Sequence, residues 1–389
     1  NIMTEFIERP MLTEEHKMFQ QSVRDFIAQE IVPHNAEWEK NHMVSRESWT
    51  TIGANGFLCM QVPEEYGGLG ITDFRYNAIF AEELSRAGVA GPAVGYPLHS
   101  DIVLPYILDF GSEEMKRKWC PKMVSGEAIA AIAMTEPGAG SDLQGMKCTA
   151  EDKGDYYLVN GSKTFITNGY LCDIAVCAVK TDPSLGAKGI SLLLMEADME
   201  GFTKGEPFHK IGLHAQDTCE LFFDNVKVPK GNLIGKEGEG FKYLMHELAQ
   251  ERLVVGIGAI GAAEGIFWKT VQYVNDRNAF GQAISRFQNT RFKIAEMATE
   301  ITKSRAFLDQ CLMLHLEGKL DASMASMVKL TTTEVQCQVA DECLQLHGGY
   351  GYIWEYDVAR AWADARVQRI YAGTNEIMKE LIARKVLGK

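Results

Sequence analysis

Glu251 stands where a carboxylate is out of place. In the stretch ELAQERLVVG it falls between Leu248 and Val255, on the helical face that also carries Leu244, Gly258 and Ala262. A charge on such a stripe is buried, and a buried unpaired charge is costly. Two kinds of chemistry explain it. Burial raises a carboxyl pKa, which makes a general base near neutral pH. Alternatively Glu251 forms a structural ion pair with Arg252 or with a residue of another helix, the commoner outcome on pattern alone.

Three further motifs carry weaker signals. EPGAGSD (Glu136 to Asp142) is a glycine-rich loop after an apolar run; its glycines let a backbone approach a phosphate, and Ser141 offers a donor. It lacks the third glycine and the following helix of a dinucleotide fingerprint. HGGYG (His347 to Gly351) reads as a helix stop followed by a turn, and RNAFG (Arg277 to Gly281) as a helix end. No HExxH, P-loop or GxSxG elbow is present. The nine cysteines form no CxxC pair and no zinc spacing with histidine, so no metal site is expected and the thiols read as reduced and buried.

A net charge of −13 argues against nucleic acid or an anionic membrane as the main partner, though not against an anionic small substrate in a local basic pocket. The longest apolar runs, such as Leu253 to Ala263, fall short of a bilayer span. The N-terminal residues lack a signal-peptide pattern, which gives a bacterial cytoplasmic location, or the mitochondrial matrix if a targeting peptide has been removed.

The elements that must position these residues fall into three segments. Residues 1–130 show helical periodicity: Thr13 and acidic residues open a helix that Pro33 ends, further helices follow around 45–53, 73–87 and 112–125, and GGLG (67–70) and GVAGPAVG (88–95) break them apart. Residues 131–239 read as short strands, with Asn160-Gly161 as a hairpin turn and strands at 174–180, 190–196 and 219–228, together a small β-barrel or sandwich. Residues 240–389 read as long helices at 241–275, 288–315 and 322–346, and a last one from Thr374. The order helices, strands, helices gives a multidomain α+β fold and excludes a doubly wound nucleotide fold.

AMTEPGAGSD, NGSKTFITNG, DRNAFG, QLHGGYGY and RIYAGTNEI occur in that order on suitable elements. With them the chain resembles the acyl-CoA dehydrogenase family over nearly its whole length. LAQERL and QLHGGYGYIWEYDVARAWADARVQRIYAGTNEIMKELIARK bring it closest to the long-chain branch. The resemblance implies a helical N-terminal domain, a β-domain and a C-terminal four-helix bundle, assembled as a homotetramer, with FAD between the β-domain and the bundle and partly held by a neighbouring subunit. Thr135, Phe165 and Thr167 would then meet the flavin ring, and many relatives carry Trp at position 165. Ser141 would lie near the FAD pyrophosphate and the substrate's CoA. Arg277, Phe280, Gln288, Gln345, Gly348 and Gly349 match FAD-holding residues, and Thr374 and Glu376 would complete that site at a helix start.

The activity implied is α,β-dehydrogenation of an acyl-CoA thioester in fatty acid β-oxidation, with the β-hydrogen leaving as hydride to flavin N5 and electrons passing to an electron-transfer flavoprotein. A flavin ribityl hydroxyl and the backbone N–H of Ala372 would stabilise the thioester oxygen as enolate charge develops. Many members carry their catalytic Glu in YEGT, whereas this chain reads YAGT. The long-chain and isovaleryl branches take the base from the bundle helix, at a position that matches Glu251. The gap at Ala372 and the misplaced carboxylate at Glu251 explain each other. Gln250, Arg252 and Gly373 fall at substrate-contact positions. Alternatives are a branched short-chain dehydrogenase, an oxidase-type relative that hands electrons to oxygen, and a non-catalytic acyl-CoA-binding flavoprotein scaffold. A nitroalkane oxidase is disfavoured, because its Asp base belongs where Ala372 stands.

Overall fold

The computed structural model describes residues 6–389. Seven helices come first: α1 (Glu14–Glu30), α2 (Asn35–Asn41), α3 (Arg46–Ala54), α4 (Phe74–Arg86), α5 (Ala90–Pro97), α6 (Leu104–Phe110) and α7 (Glu113–Ser125). Side chains of Thr13, Ser45, Asp73 and Ser112 cap α1, α3, α4 and α7, each accepting from a backbone N–H that the helix leaves unpaired. A π-helical turn at Leu98–Val103 joins α5 to α6.

Eight strands follow: β1 (Ala130–Ala133), β2 (Thr149–Asp152), β3 (Tyr156–Thr167), β4 (Ile174–Lys180), β5 (Ile190–Glu196), β6 (Phe202–Lys204), β7 (Thr218–Pro229) and β8 (Leu233–Ile234). They form one mixed sheet in the order β6-β7-β3-β2-β4-β5-β8, with β1 also paired to β4. Every residue of β4 is buried, because its two faces serve different cores. Ile174, Val176 and Ala178 pack with the N-terminal helices. Ala175, Cys177 and Val179 pack with Val159, Leu221 and Phe223, so the sheet curls over a core of its own.

The C-terminal part holds α8 (Gly240–Asp276), a small hairpin β9 (Asn278–Ala279) and β10 (Gln282–Ala283), α9 (Gln288–Leu316), α10 (Ala322–His347), α11 (Asp357–Ala365) and α12 (Asn375–Leu387). Its core also takes in Ala78 and Ala81 of α4. Three glycines of α8 make that contact close: a Cβ at Gly261 would stand 2.6 Å from the Glu82 carbonyl oxygen, one at Gly265 2.3 Å from that of Arg86, and one at Gly258 3.3 Å from Ser85 Oγ.

The observed order is the expected α+β arrangement, with four differences. Asn160-Gly161 is not a turn: β3 runs through it, and the pairing with β7 shifts register between Val159 and Gly161, a bulge that uses the same positive φ, +146° at Gly161. The hairpin turn lies instead at residues 153–155. GVAGPAVG does not break the chain into loop, since α5 begins at Ala90. Its glycines serve close approach: a Cβ at Gly91 would stand 2.6 Å from that of Ala215. Helix α11 was not foreseen as a separate element. Finally, α8 is long and apolar enough to cross a membrane, but 67% of its apolar window is buried inside the protein, as in a core helix.

Candidate active site

A bulge in β3 creates the first wall of the site. Pairing with β7 is lost between Lys163 and Ile166 and resumes at Ile166 and Thr167. Within the gap Phe165 adopts φ +56° and is 66% exposed, its ring 5.6 Å from that of Phe208. The neighbouring loop is fastened from below. The fully buried Lys163 donates to the Met134 carbonyl at 3.0 Å and pairs with Glu136 at 2.8 Å, while Thr164 N–H donates to the Thr135 carbonyl at 2.9 Å. Glu136 also accepts from the N–H groups of Lys147 and Cys148. The EPGAGSD loop is therefore rigid at its start, and Gly138 and Gly140 beyond it have open space where a Cβ would lie.

The opposite wall is α8. Glu251 and the exposed face of Phe165 line one cavity, partly open to solvent, with Thr135, Thr167, Leu213, Tyr371 and Ala372. Its remaining walls are mostly apolar, from Val94, Leu98 and Ile102 on one side to Val254, Val255, Ala262 and Ile266 on the other. Burial raises the pKa of Glu251; the positive charges of Arg252 and Lys329 offset this only in part. The carboxylate is partly exposed because it opens into the cavity, although protein surrounds it. Among the described residues it has no hydrogen bond and no ion pair within 4 Å, so the structural ion pair is not what holds it there.

Arg252 points elsewhere. It is buried, donates from Nη1 to Ser326 Oγ at 3.3 Å, leaves Nε without a partner, and lies 3.9 Å from where a Cβ on Gly373 would be. Burial lowers its pKa, and Glu251 opposes that. Ala372 and Gly373 have φ of +55° and +86°. For alanine that conformation costs roughly 1–2 kcal/mol. Thr374 ends the turn by capping α12, accepting from Ile377 N–H at 3.3 Å.

A second group of expected residues meets elsewhere. Arg277, Gln345, Gly348 and Gly349 line a separate groove at the end of α10, with Tyr273 and Tyr350. The Arg277 guanidinium sits 5.4 Å from the centre of the Tyr350 ring. Phe280, at φ +53° and 94% exposed, tips the adjoining β9–β10 hairpin. Gln288, Ser141 and Glu376 are exposed and line neither space. Gln250 faces away from the Glu251 cavity: its side chain joins the Asp101 carbonyl (2.6 Å) to His315 Nε2 (2.9 Å). Lys163, inside NGSKTFITNG but given no role there, and Lys329, outside every motif, are both fully buried. Lys329 was open to the argument used for Glu251, because it lies on the buried face of α10 with Ala325, Val328 and Thr332.

An aromatic face left bare, apolar walls at Ile132, Met134 and Leu213, and hydroxyls of Thr135 and Thr167 suit a planar ring system with a polar edge. Facing it with a desolvated carboxylate that has no direct partner among the described residues defines a flavin-dependent dehydrogenase. Comparison with known proteins makes this specific. Family models for the acyl-CoA dehydrogenase N-terminal, middle and C-terminal domains match residues 13–127, 131–226 and 238–387. The chain is 49% identical over 387 residues to the long-chain specific acyl-CoA dehydrogenase of Sus scrofa mitochondria, covering 99% of this chain and 89% of that protein. It is 38% identical to an acyl-CoA dehydrogenase of Bacillus subtilis, over 97% of this chain and 99% of that one. A crystal structure of an acyl-CoA dehydrogenase from Geobacillus kaustophilus superposes with a TM-score of 0.95 at 53% identity, covering 97% of this chain and 100% of the other. This chain belongs to the acyl-CoA dehydrogenase family, and it is an FAD-dependent oxidoreductase that dehydrogenates acyl-CoA.

Proposed function

We propose that the substrates are long-chain acyl-CoA thioesters and that Glu251 removes the α-proton. The observation that carries this reading is a carboxylate with no hydrogen-bond partner, lodged in an apolar cavity that it shares with the Ala372 turn and the bare face of Phe165. Burial keeps its proton affinity high, so it takes a proton readily once ionised, and an acyl chain that expels water strengthens that tendency. The Ala372 N–H donates to the thioester oxygen as negative charge develops there, a contribution that no side chain at position 372 need make. Thr135, Phe165 and Thr167 hold the FAD ring, and bound FAD supplies the hydride acceptor for the β-hydrogen. The length of the apolar wall from Val255 to Ile266 and from Val94 to Ile102, and the 49% identity to a long-chain specific enzyme, support a long acyl chain.

The separation of the Arg277 groove from the Glu251 cavity supports an assembly in which copies complete one another's cofactor sites, with the homotetramer as our assignment. Exposed Tyr350, Tyr352, Ile353, Trp354 and Trp362 offer the apolar surface for it. We assign an electron-transfer flavoprotein as acceptor and a bacterial cytoplasm as location, in keeping with the Bacillus and Geobacillus relatives.

The test is anaerobic flavin absorbance on adding a chain-length series of acyl-CoAs, wild type beside Glu251→Gln. Bleaching strongest with palmitoyl-CoA, and lost in the variant while FAD stays bound, is the expected result. Equal bleaching in both proteins would remove Glu251 from the role, and a preference for isovaleryl-CoA would overturn the chain-length assignment.

A further inference from the structure

The turn that carries Ala372 is anchored by a buried lysine. Lys329 is fully buried on α10, and its ammonium donates to the Gly373 carbonyl at 2.8 Å and to Asn375 Oδ1 at 2.8 Å. Asn375 is itself buried, and its amide group donates to Thr333 Oγ1 and to Glu334, each at 3.0 Å. Glu334 in turn accepts from Arg369 Nε at 2.9 Å. The chain from Arg369 to Asn375 is thus tied to one stretch of α10 at both ends, around the left-handed Ala372.

We propose that Lys329 is a positioning residue of the dehydrogenation: its ammonium fixes the Ala372–Asn375 turn, and so places the Ala372 amide in the cavity it shares with Glu251. The inference rests on the functional reading above, in which that amide meets the thioester oxygen. It gives the lysine two effects. Losing the tie to Gly373 lets the adjacent amide wander, and a displacement of about 1 Å at a reacting group costs on the order of a hundredfold in rate. The ammonium is also one of the two positive charges that restrain the proton affinity of Glu251.

Lys329 has a pH signature. Burial, reinforced by the charge of Arg252, lowers its pKa to about 8, against the opposing pull of Glu334, Glu376 and Cys337. Glu251 also faces it from α8. Its ammonium is present below about pH 8 and lost above, so the wild-type rate falls on the alkaline side.

The experiment follows flavin reduction by palmitoyl-CoA in anaerobic holoenzyme, from mildly acid to alkaline pH, in wild type, Lys329→Met and Lys329→Gln. The expected result is a rate at saturating substrate about a hundredfold lower in both variants, KM little changed, and no alkaline fall. The acid limb set by Glu251 moves to higher pH, because one restraining charge has gone. A Lys329→Gln enzyme with the wild-type rate and the wild-type alkaline limb would overturn the proposal. Loss of FAD from both variants would do so too, by making Lys329 a clamp for the fold alone; should only Lys329→Met lose it, Lys329→Gln decides. A wild type that no acyl-CoA bleaches fails the functional reading, whereas a bleaching wild type beside an unaltered Lys329→Gln fails this inference alone.

Discussion

Two glutamates of helix α8, Glu251 and Glu264, have opposite surroundings. Glu264 lies in a crowded ionic cluster: it pairs with Arg305 and, at 3.2 Å, with Arg86, while Glu82 receives Arg9 at 3.0 Å and Arg305 at 2.6 Å. Burial alone would raise the pKa of Glu82, but Arg305, Arg9 and Arg86 together outweigh it and hold the carboxylate ionised. Glu251 has two cations near it and a hydrogen bond to neither, and there burial wins. The same residue type on the same helix is a directly paired member of an ionic cluster in one place and a carboxylate without a direct partner among the described residues in the other. The deciding quantity is direct pairing, because a buried charge is tolerated only when its partners also satisfy its hydrogen bonds.

Substitutions at the two positions test that contrast. The largest expected effect is kinetic: Glu251→Gln slows flavin reduction by about a thousandfold, within the range general bases contribute, as read by stopped-flow absorbance. Its unfolding midpoint in urea stays at or above the wild-type value at neutral pH. Glu264→Gln should do the reverse, lowering the free energy of unfolding by roughly 3–5 kcal/mol, as for a broken buried pair, while the folded fraction reduces flavin normally. Similar losses of stability at both positions would erase the distinction.

A smaller effect is expected at the seam that brings the ionic cluster against α8. Gly261→Ala forces a methyl group onto the Glu82 carbonyl and should cost about 1–3 kcal/mol in the same denaturation assay. The smallest is a pH effect on stability. A carboxyl whose pKa is raised by folding favours the protonated folded state. Its contribution is full below the ordinary carboxylate pKa and is lost as pH rises through the higher folded value. Wild type should therefore lose stability relative to Glu251→Gln across that window, and a difference that stays flat with pH would show that folding leaves the Glu251 pKa alone.

How much of this was legible in the sequence depended on whether the signal was local. Helices capped by Thr13, Ser45 and Ser112, and the unbroken apolar strands at 174–180 and 190–196, announce themselves within a few residues. Asn160-Gly161 misled because a bulge and a hairpin turn ask for the same backbone freedom. GVAGPAVG misled because the need for glycine comes from Ala215 and Gln216, far along the chain. At the site, Glu251 was readable as a misfit on its own helix. Lys329 was an equal misfit on α10, but no motif drew attention to it. The cavity wall contributed by α5 and the π-helical turn was not readable at all, since no local pattern says which helix faces α8.

The ionic cluster also bears on how the chain is made. Arg9 donates to Asp309, 300 positions later, and α4 finds its glycine-lined seat only on α8. On the ribosome, where residues emerge at about 5–20 per second and N-terminal parts fold first, the opening helices wait from roughly ten seconds to about a minute for these partners. In that interval Glu82 and Glu83 already have Arg86 and Arg24 beside them, whereas Ala78 and Ala81 gain their core only when α8 arrives.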